Sequence, residues 1–447
     1  MKLNLQNDRV VYLGPTFEES SWGYVQFPRL YAMRNGNIGL AIHDDDDSWM
    51  AFGDEGCGKK WLVSEDEGAS WRNATKADID MMGTVLPNGD VIRSLSNPPA
   101  SLNGVKEGGN LIHCLPSDDF SIKKPDKPNQ LPTSITTVTN VFEEIRKVYW
   151  LDAIPDELIE KRFVLNRLKA GETQAEKLYA EANWNYRTVQ SFPPSHVAKK
   201  DLEKIMLSNA GLFECREPKV APDGSLYIAH YNFLGANPFT GVYEGTCNAY
   251  ILRSTDNGEH WELQGYIPYK DFDEEKDPFA HLKGGFSEPC LEFMPDGSML
   301  CILRTCDVFY NAPSWGPTYL SRSTDGGKTW SKPEYFKDRG ALPQLLQLKN
   351  GVTLAVITRP GIYVYASEDG GKTWTECVEV MTEQDRSGLG NEKPQRPNFW
   401  QWAGSCCNCT IYPLADNKAL LTYSDFFIPD EAGVKRKGIK TIEIVVE

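Results

Sequence analysis

The stretch STDGGKTW at residues 323–330 follows an apolar run and indicates how the rest of the chain is organised. Near copies occur as SEDGGKTW at 367–374, STDNGEHW at 254–261 and, more loosely, SEDEGASW at 64–71. Their shared pattern is Ser-x-Asp-x-Gly-x-x-Trp, in which glycine permits a tight turn and the Asp and Ser side chains can bond the turn's own amides. The tryptophan would pack back between neighbouring strands. Four copies, each after a β-rich run, predict four related hairpins within one repeat fold.

A second repeated pattern indicates how many structural units the fold contains. Six short polar turns separate pairs of apolar stretches, at Asn35-Gly36, Asn88-Gly89, Asp223-Gly224, Asp296-Gly297, Asn350-Gly351 and Asp416-Asn417. Asn-Gly and Asp-Gly between apolar runs are strong hairpin signals. Six such hairpins predict an all-β, six-bladed β-propeller with antiparallel four-stranded blades.

We expect one propeller domain over residues 1–447, in which the second blade contains an insertion at 97–205 because the spacing there is too long for one blade. Little helix is expected outside that insertion. Residues 439–446 alternate in polarity as a strand does, and this strand or the one at 10–13 should complete a blade with the other end of the chain.

Composition narrows the class of protein. The net charge of −15 argues against nucleic acid and anionic membranes as partners. No apolar run could span a bilayer and no signal peptide is visible, which favours the cytoplasm. Eleven cysteines without zinc-like spacing are expected to be reduced, so the sequence predicts no metal and no cofactor.

The repeated turn resembles the Asp-box of the sialidase-like β-propellers. In that family the box joins the two outer strands of a blade, on the face opposite the active site. The resemblance therefore implies that Asp66, Asp256, Asp325 and Asp369 are structural and that the chemistry lies at the other ends of the strands.

At those other ends the repeats place several arginines and carboxylates. Inner strands begin near Arg29, Arg216, Glu217, Glu288, Gln344 and Asn408, and second strands end near His43, Arg93, His230, Arg304, Arg359 and Asp425. A single arginine at a strand end is usually a solvated charge, and the two histidines could be structural imidazoles. As a set they predict a pocket, in which Arg29, Arg216, Arg304, Arg359, His43 and Asn408 bind substrate.

The resemblance implies more specific roles for some of these residues. Sialidases bind the substrate carboxylate with three arginines, and Arg304 and Arg359 match two of them. The position of the first arginine holds Gln26, and Arg29 follows it after Pro28. Glu288 precedes Arg304 by one hairpin, as the family's catalytic glutamate does.

The other two catalytic positions of the family are less well matched. The acid/base aspartate falls between 44 and 54, and we take Asp46. Asn408 occupies the position of the nucleophilic tyrosine, and an amide cannot replace an ionised hydroxyl. Catalytic candidates are thus Asp46, Glu288 and Glu217.

The sequence favours an exo-acting glycoside hydrolase that cleaves a terminal acidic sugar, such as sialic acid, from a glycan. A lyase or another glycosidase that acts on uronate-containing glycans would use the same arginines, with His43, His230 or a tyrosine as base in the lyase case. A propeller that binds glycans without cleaving them is the third possibility, since one fold hosts many functions. Oligomeric state is left open by the sequence.

Overall fold

The computed structural model is built almost entirely of β-strands. It describes residues 1–16, 18–20, 24–44, 59–94, 162–183, 216–231, 247–270, 275–276, 285–306, 317–359, 361–382 and 408–447, together with short strands between 100 and 214. Helix α1 (Lys76–Asp80) is the one α-helix in these segments, and it lies outside the 97–205 range where we expected helix.

The strands follow in chain order. The first group is β1 (Leu3–Leu13), β2 (Gln26–Met33), β3 (Ile38–His43), β4 (Lys59–Ser64), β5 (Arg72–Asn73), β6 (Met82–Val85) and β7 (Val91–Ser94). The second group is β8 (Ala100–Ser101), β9 (Pro116–Ser117), β10 (Ile135–Thr136), β11 (Val138–Thr139), β12 (Ile145–Trp150), β13 (Arg162–Leu168), β14 (Glu176–Asn183), β15 (Thr188–Phe192), β16 (Met206–Asn209) and β17 (Phe213–Glu214).

The third group is β18 (Lys219–Val220), β19 (Leu226–Tyr231), β20 (Ala249–Ser254), β21 (His260–Ile267), β22 (Gly285–Phe293), β23 (Met299–Cys306), β24 (Thr318–Ser323) and β25 (Glu334–Lys337). The fourth group is β26 (Gln344–Gln347), β27 (Thr353–Thr358), β28 (Ile362–Ser367), β29 (Val378–Met381), β30 (Cys409–Ala415), β31 (Lys418–Pro429) and β32 (Lys435–Val446).

Strand pairing divides most of these strands into six antiparallel sets of four. We call them sheets 1 to 6, and they are β2–β5, β6-β7-β13-β14, β18–β21, β22–β25, β26–β29 and β30-β31-β32-β1. Sheets 1, 2 and 3 are joined by ladders between β2 and β6 and between β14 and β21. Within the 97–205 range, β13 and β14 complete sheet 2, whereas β8, β11, β12, β15 and β16 form a separate five-stranded sheet.

Sheet 6 joins the two ends of the chain, since the N-terminal β1 pairs with the C-terminal β32, from Leu3 opposite Val446 to Leu13 opposite Gly438. Sheet 6 also packs on sheet 1. The hydroxyl of Thr410 donates to the carbonyl of Pro28 at 2.8 Å, and Leu420 lies in one apolar cluster with Leu40. The last sheet in the chain is therefore in contact with the first.

The repeated Ser-x-Asp-x-Gly-x-x-Trp segments are turns between the third and fourth strands of sheets 1, 3, 4 and 5. In the 323–330 copy, Ser323 Oγ accepts from the amide of Gly327 at 2.9 Å, and Asp325 Oδ1 accepts from that of Thr329 at 2.9 Å. Trp330 Nε1 donates to the carbonyl of Gly327 at 3.0 Å. Each turn is thus held by bonds among residues at most four apart, which explains why a short motif can specify it.

These turns mark one end of the sheets, and the candidate site residues lie at the other. In sheet 4, Met299 pairs with Ser323 beside the turn, whereas Arg304 pairs with Thr318 five residues further along β23. A strand rises about 3.3 Å per residue, so Arg304 lies on the order of 16 Å from the turn end.

Candidate active site

The inner strands of sheets 1, 4 and 5 begin with the same backbone distortion. Phe27, Glu288 and Leu342 have φ of 47°, 47° and 44°, and each precedes a proline. In sheets 1 and 4 the distortion is a β-bulge, where the pairing skips from Gln26 to Arg29 and from Ser287 to Cys290. Bulges often re-aim side chains beside active sites.

This shared distortion corrects the alignment of candidates that we expected. Glu288 corresponds to Phe27 in sheet 1, and Arg29, two residues later, corresponds to Cys290. Glu217 also precedes a proline, but its place in the ladder is different: Val220 of sheet 3 pairs with Leu226 as Phe293 of sheet 4 pairs with Met299, so Glu217 corresponds to Cys290. Glu217 and Arg29 therefore occupy equivalent positions in sheets 3 and 1, whereas Glu288 lies two residues further from the inner turn of its sheet.

Glu288 is held between two guanidinium groups. Its Oε1 accepts from Arg304 Nη1 at 2.7 Å, and its Oε2 accepts from the amide of Leu342. Burial acts to raise the pKa of Glu288, but the positive charges of Arg304 and Arg359 outweigh burial and hold that pKa below its usual range. Glu288 is accordingly an ionised carboxylate at neutral pH.

Arg359 and Asn408 form the neighbouring part of the site. Arg359 has φ of 53° and is 5% exposed, and its amide donates to the carbonyl of Gly361 at 2.9 Å. Arg359 Nη2 donates to Asn408 Oδ1 at 3.4 Å. The residue at the expected tyrosine position thus acts as an acceptor for an arginine.

Glu217 connects three sheets. Its Oε1 accepts from Arg29 Nη1 of sheet 1 at 3.2 Å, and its Oε2 accepts from the amide of Ser94 of sheet 2 at 2.8 Å. Burial raises the pKa of Glu217, and the attraction of Arg29 offsets this only in part. Tyr31 lies in the same network, where burial raises its pKa to about 12 and keeps its phenol protonated at neutral pH.

The remaining candidates line the same end of the sheets. Arg216 Nη2 donates to the carbonyl of Pro343 at 2.6 Å, which brings the inner strands of sheets 3 and 5 together. His43 is buried opposite Gln26 in the ladder, and its ring meets Phe27 edge-on at 5.7 Å. Asp46, the candidate acid/base, lies outside the described residues.

Two backbone amides in this site were not anticipated from sequence. The N–H group of Ser94 donates to Glu217 and that of Leu342 donates to Glu288. Every residue except proline has a backbone N–H, so the residue type at these positions does not predict the contact. The recurrence of a proline after Phe27, Glu288 and Leu342 could have identified the equivalent positions.

Over the part of the chain that the structure describes, no group of His, Cys, Asp and Glu could hold a metal ion. No helix in the same residues is long and apolar enough to cross a membrane.

Among solved structures, the chain resembles a protein of unknown function from Dyadobacter fermentans DSM 18053, with 15% identity, a TM-score of 0.52, and 100% of this chain and 99% of that chain covered. At that identity the likeness concerns the fold alone. An α-L-arabinanase from Penicillium chrysogenum is 10% identical over 98% of both chains, with a TM-score of 0.47. The NanB sialidase from Streptococcus pneumoniae is 11% identical, with 98% of this chain and 70% of that chain covered and a TM-score of 0.44.

None of the curated proteins matches this sequence. The BNR repeat-like domain matches residues 195–428, more than half of the 447-residue chain. The BNR-repeat relationship that the turn motif indicated is therefore confirmed, and the chain belongs to the BNR repeat-like domain family.

Proposed function

We propose that sheets 1 to 6 are the blades of a six-bladed β-propeller, and that the four repeated turns are its Asp-boxes. Contacts between sheets that are not neighbours support this arrangement. Arg29 of sheet 1 reaches Glu217 of sheet 3, and Arg216 of sheet 3 reaches Pro343 of sheet 5. Side chains can make such contacts only if the inner strands converge on a common axis. The contact between Thr410 and Pro28 supports closure of the ring.

We further propose that the protein is an exo-acting glycoside hydrolase that cleaves a terminal acidic sugar from a glycan. The observation that carries this proposal is a pair of glutamates, Glu217 and Glu288, each bound by an arginine at the start of neighbouring sheets 3 and 4. Their environments move the two pKa values in opposite directions, upward for Glu217 and downward for Glu288. Glycosidases need one protonated and one ionised carboxyl group, and such a divergence assigns the two roles.

In this mechanism Glu217 is the general acid that protonates the leaving oxygen. Glu288 is the carboxylate that attacks the anomeric carbon or activates water, with no participation by a tyrosine because Asn408 occupies that position. Asp46 remains a prediction for the acid/base role, and Glu217 is the candidate that the described residues offer for it.

The acidic substrate is supported by the charge of the site. Arg304 and Arg359 both lower the pKa of one carboxylate, Glu288, so two guanidinium groups lie near one another within a chain of net charge −15. A guanidinium offers a planar fork that matches a carboxylate, so the two arginines would bind the sugar's acid group. His43, Arg29 and Arg216 would complete the substrate pocket.

The test is hydrolysis of a panel of aryl glycosides of acidic and neutral sugars by wild type, Glu217→Gln, Glu288→Gln and the exposed control Glu431→Gln. We expect hydrolysis of an acidic glycoside, with kcat lowered by roughly 10²–10⁴ in the two site variants and unchanged in the control. Full activity in both site variants would refute the assigned roles. Saturable binding without turnover would show a binding propeller, and an unsaturated ultraviolet-absorbing product would show a lyase.

A further inference from the structure

Arg93 is the most deeply buried charged group near the site, with 1% of its surface exposed. The guanidinium donates from Nη1 to the carbonyls of Ile79 and Met82, the latter at 3.1 Å. It also lies over the rings of Trp61 and Tyr31, at 4.9 and 5.9 Å from their centroids. Carbonyls and ring faces stabilise a cation in a dry environment.

These contacts hold β7 against its neighbours. Trp61 belongs to β4 and Tyr31 to β2 of sheet 1, whereas Ile79 belongs to α1 and Met82 to β6. A single side chain of β7 is therefore fixed from both sheet 1 and sheet 2. The position of the backbone that follows Arg93 depends on this arrangement.

The residue that follows is Ser94, whose amide donates to Glu217 Oε2 at 2.8 Å. Arg93 thus fixes one of the two donors that orient Glu217, and Arg29 Nη1 supplies the other at 3.2 Å. The groups that face Glu217 are Arg29 and Tyr31 from β2, and Arg93 and the Ser94 amide from β7. The positive charge of Arg93 acts to lower the pKa of Glu217, and the backbone of Arg93 leads directly to the Ser94 amide.

We infer that Arg93 is a positioning residue for Glu217, which orients its carboxyl group through the Ser94 amide and limits its proton affinity through a buried positive charge. This inference rests on the proposed function, in which Glu217 is the general acid. A general acid must be protonated to act, so activity is lost as pH rises through the pKa of Glu217 in the folded enzyme. The Arg93 charge favours the ionised form, and its removal therefore moves that loss of activity to higher pH.

The experiment compares Arg93→Gln, which keeps hydrogen-bond donors but removes the charge, with Arg93→Lys, which keeps the charge. The matched control is Arg253→Gln. Arg253 also lies over a tyrosine ring, at 5.6 Å from the centroid of Tyr227, but it is at the turn end of sheet 3. The alkaline limb of kcat/KM should move up by on the order of one pH unit in Arg93→Gln. It should stay at the wild-type position in Arg93→Lys and Arg253→Gln.

A second readout does not require turnover. The pKa of Glu217 is followed by carbon-13 NMR of protein with labelled glutamate carboxyl groups, with Glu217→Gln used to assign the signal. It should rise in Arg93→Gln by the same amount as the kinetic limb. If Arg93→Gln does not fold, both readouts are taken on Arg93→Met, which also removes the charge but keeps an apolar side chain against the two rings, and a shift in the same direction is expected.

An unchanged pKa of Glu217 in a folded Arg93→Gln or Arg93→Met variant would overturn the inference. The proposed function fails separately, by full activity of Glu217→Gln. A shift of the NMR pKa without any hydrolysis by wild type would support the link between Arg93 and Glu217 and reject the enzyme assignment.

Discussion

Arg304→Lys separates the geometry of the proposed carboxylate site from its charge. In the structure Arg304 Nη1 lies 2.7 Å from Glu288 Oε1, and the two side chains are only 14% and 17% exposed, so water screens the interaction poorly. A lysine keeps the positive charge but cannot donate from two parallel N–H groups to both Glu288 and a substrate carboxylate. Loss of one charge-assisted hydrogen bond costs about 1.5–3 kcal/mol, which weakens binding of an acidic sugar by about 10- to 150-fold.

The assay is isothermal titration of wild type and Arg304→Lys with an acidic monosaccharide and with its amide. The control is Arg322→Lys, since Arg322 lies at the turn end, where it donates to Ser298 Oγ at 3.0 Å and to the carbonyl of Gly370 at 2.6 Å. That control should lower stability and leave affinity unchanged. Equal binding of the acid by Arg304→Lys and wild type would refute the carboxylate site. Equal binding of the acid and its amide by wild type would refute it as well.

Three further predictions concern the turns and the chemistry. Trp261→Ala should lower the free energy of unfolding in urea by about 3–5 kcal/mol, because the ring is 1% exposed and its Nε1 donates to Gly258 O at 2.9 Å; an unchanged midpoint would contradict this. Hydrogen bonds lower the pKa of Asp325 to about 2, so its stabilising contribution is complete above its unfolded pKa and is lost as pH falls towards 2. Asp325→Asn should therefore flatten the acid limb of the stability curve measured by circular dichroism. A fluorinated sugar that traps covalent intermediates should label Glu288 or nothing, and a labelled tyrosine in peptide mapping would show that another residue replaces the one missing at Asn408.

The turns could be predicted from sequence because their stabilising bonds are local. In each copy the Ser hydroxyl and the Asp carboxylate accept from amides at most four residues away, as at Ser64 with Gly68 and at Asp369 with Thr373. A motif of eight residues therefore contains nearly all of the chemistry that forms the turn. The alternation of 439–446 predicted a strand, whereas its pairing with the other end of the chain was expected because the last blade of a repeat fold has to be completed.

The contacts of the site could not be predicted, because their partners are far apart in the chain. Arg29 and Glu217 are separated by 188 residues, and Arg359 and Asn408 by 49. Sequence showed that arginines and carboxylates would lie at the same ends of the sheets, but a residue type does not reveal its partner. The same holds for Arg93, which reads as a strand-end charge and is in fact enclosed by two aromatic rings.

The strained position before each proline explains how a repeated structure acquired a specific site. A non-glycine residue in the left-handed region costs on the order of 1–3 kcal/mol, and it persists only where surrounding structure enforces it. Phe27 and Leu342 adopt this conformation with apolar side chains, so the distortion cannot exist for catalysis alone. It is a property of the inner strands, in which a bulge turns one side chain out of the regular alternation of the sheet. The same position in sheet 4 carries Glu288. Chemistry was therefore added to a structural device that other sheets retain without it, and substitution of Phe27 by glutamate would be tolerated by the backbone, whereas removal of the bulge at Glu288 would not.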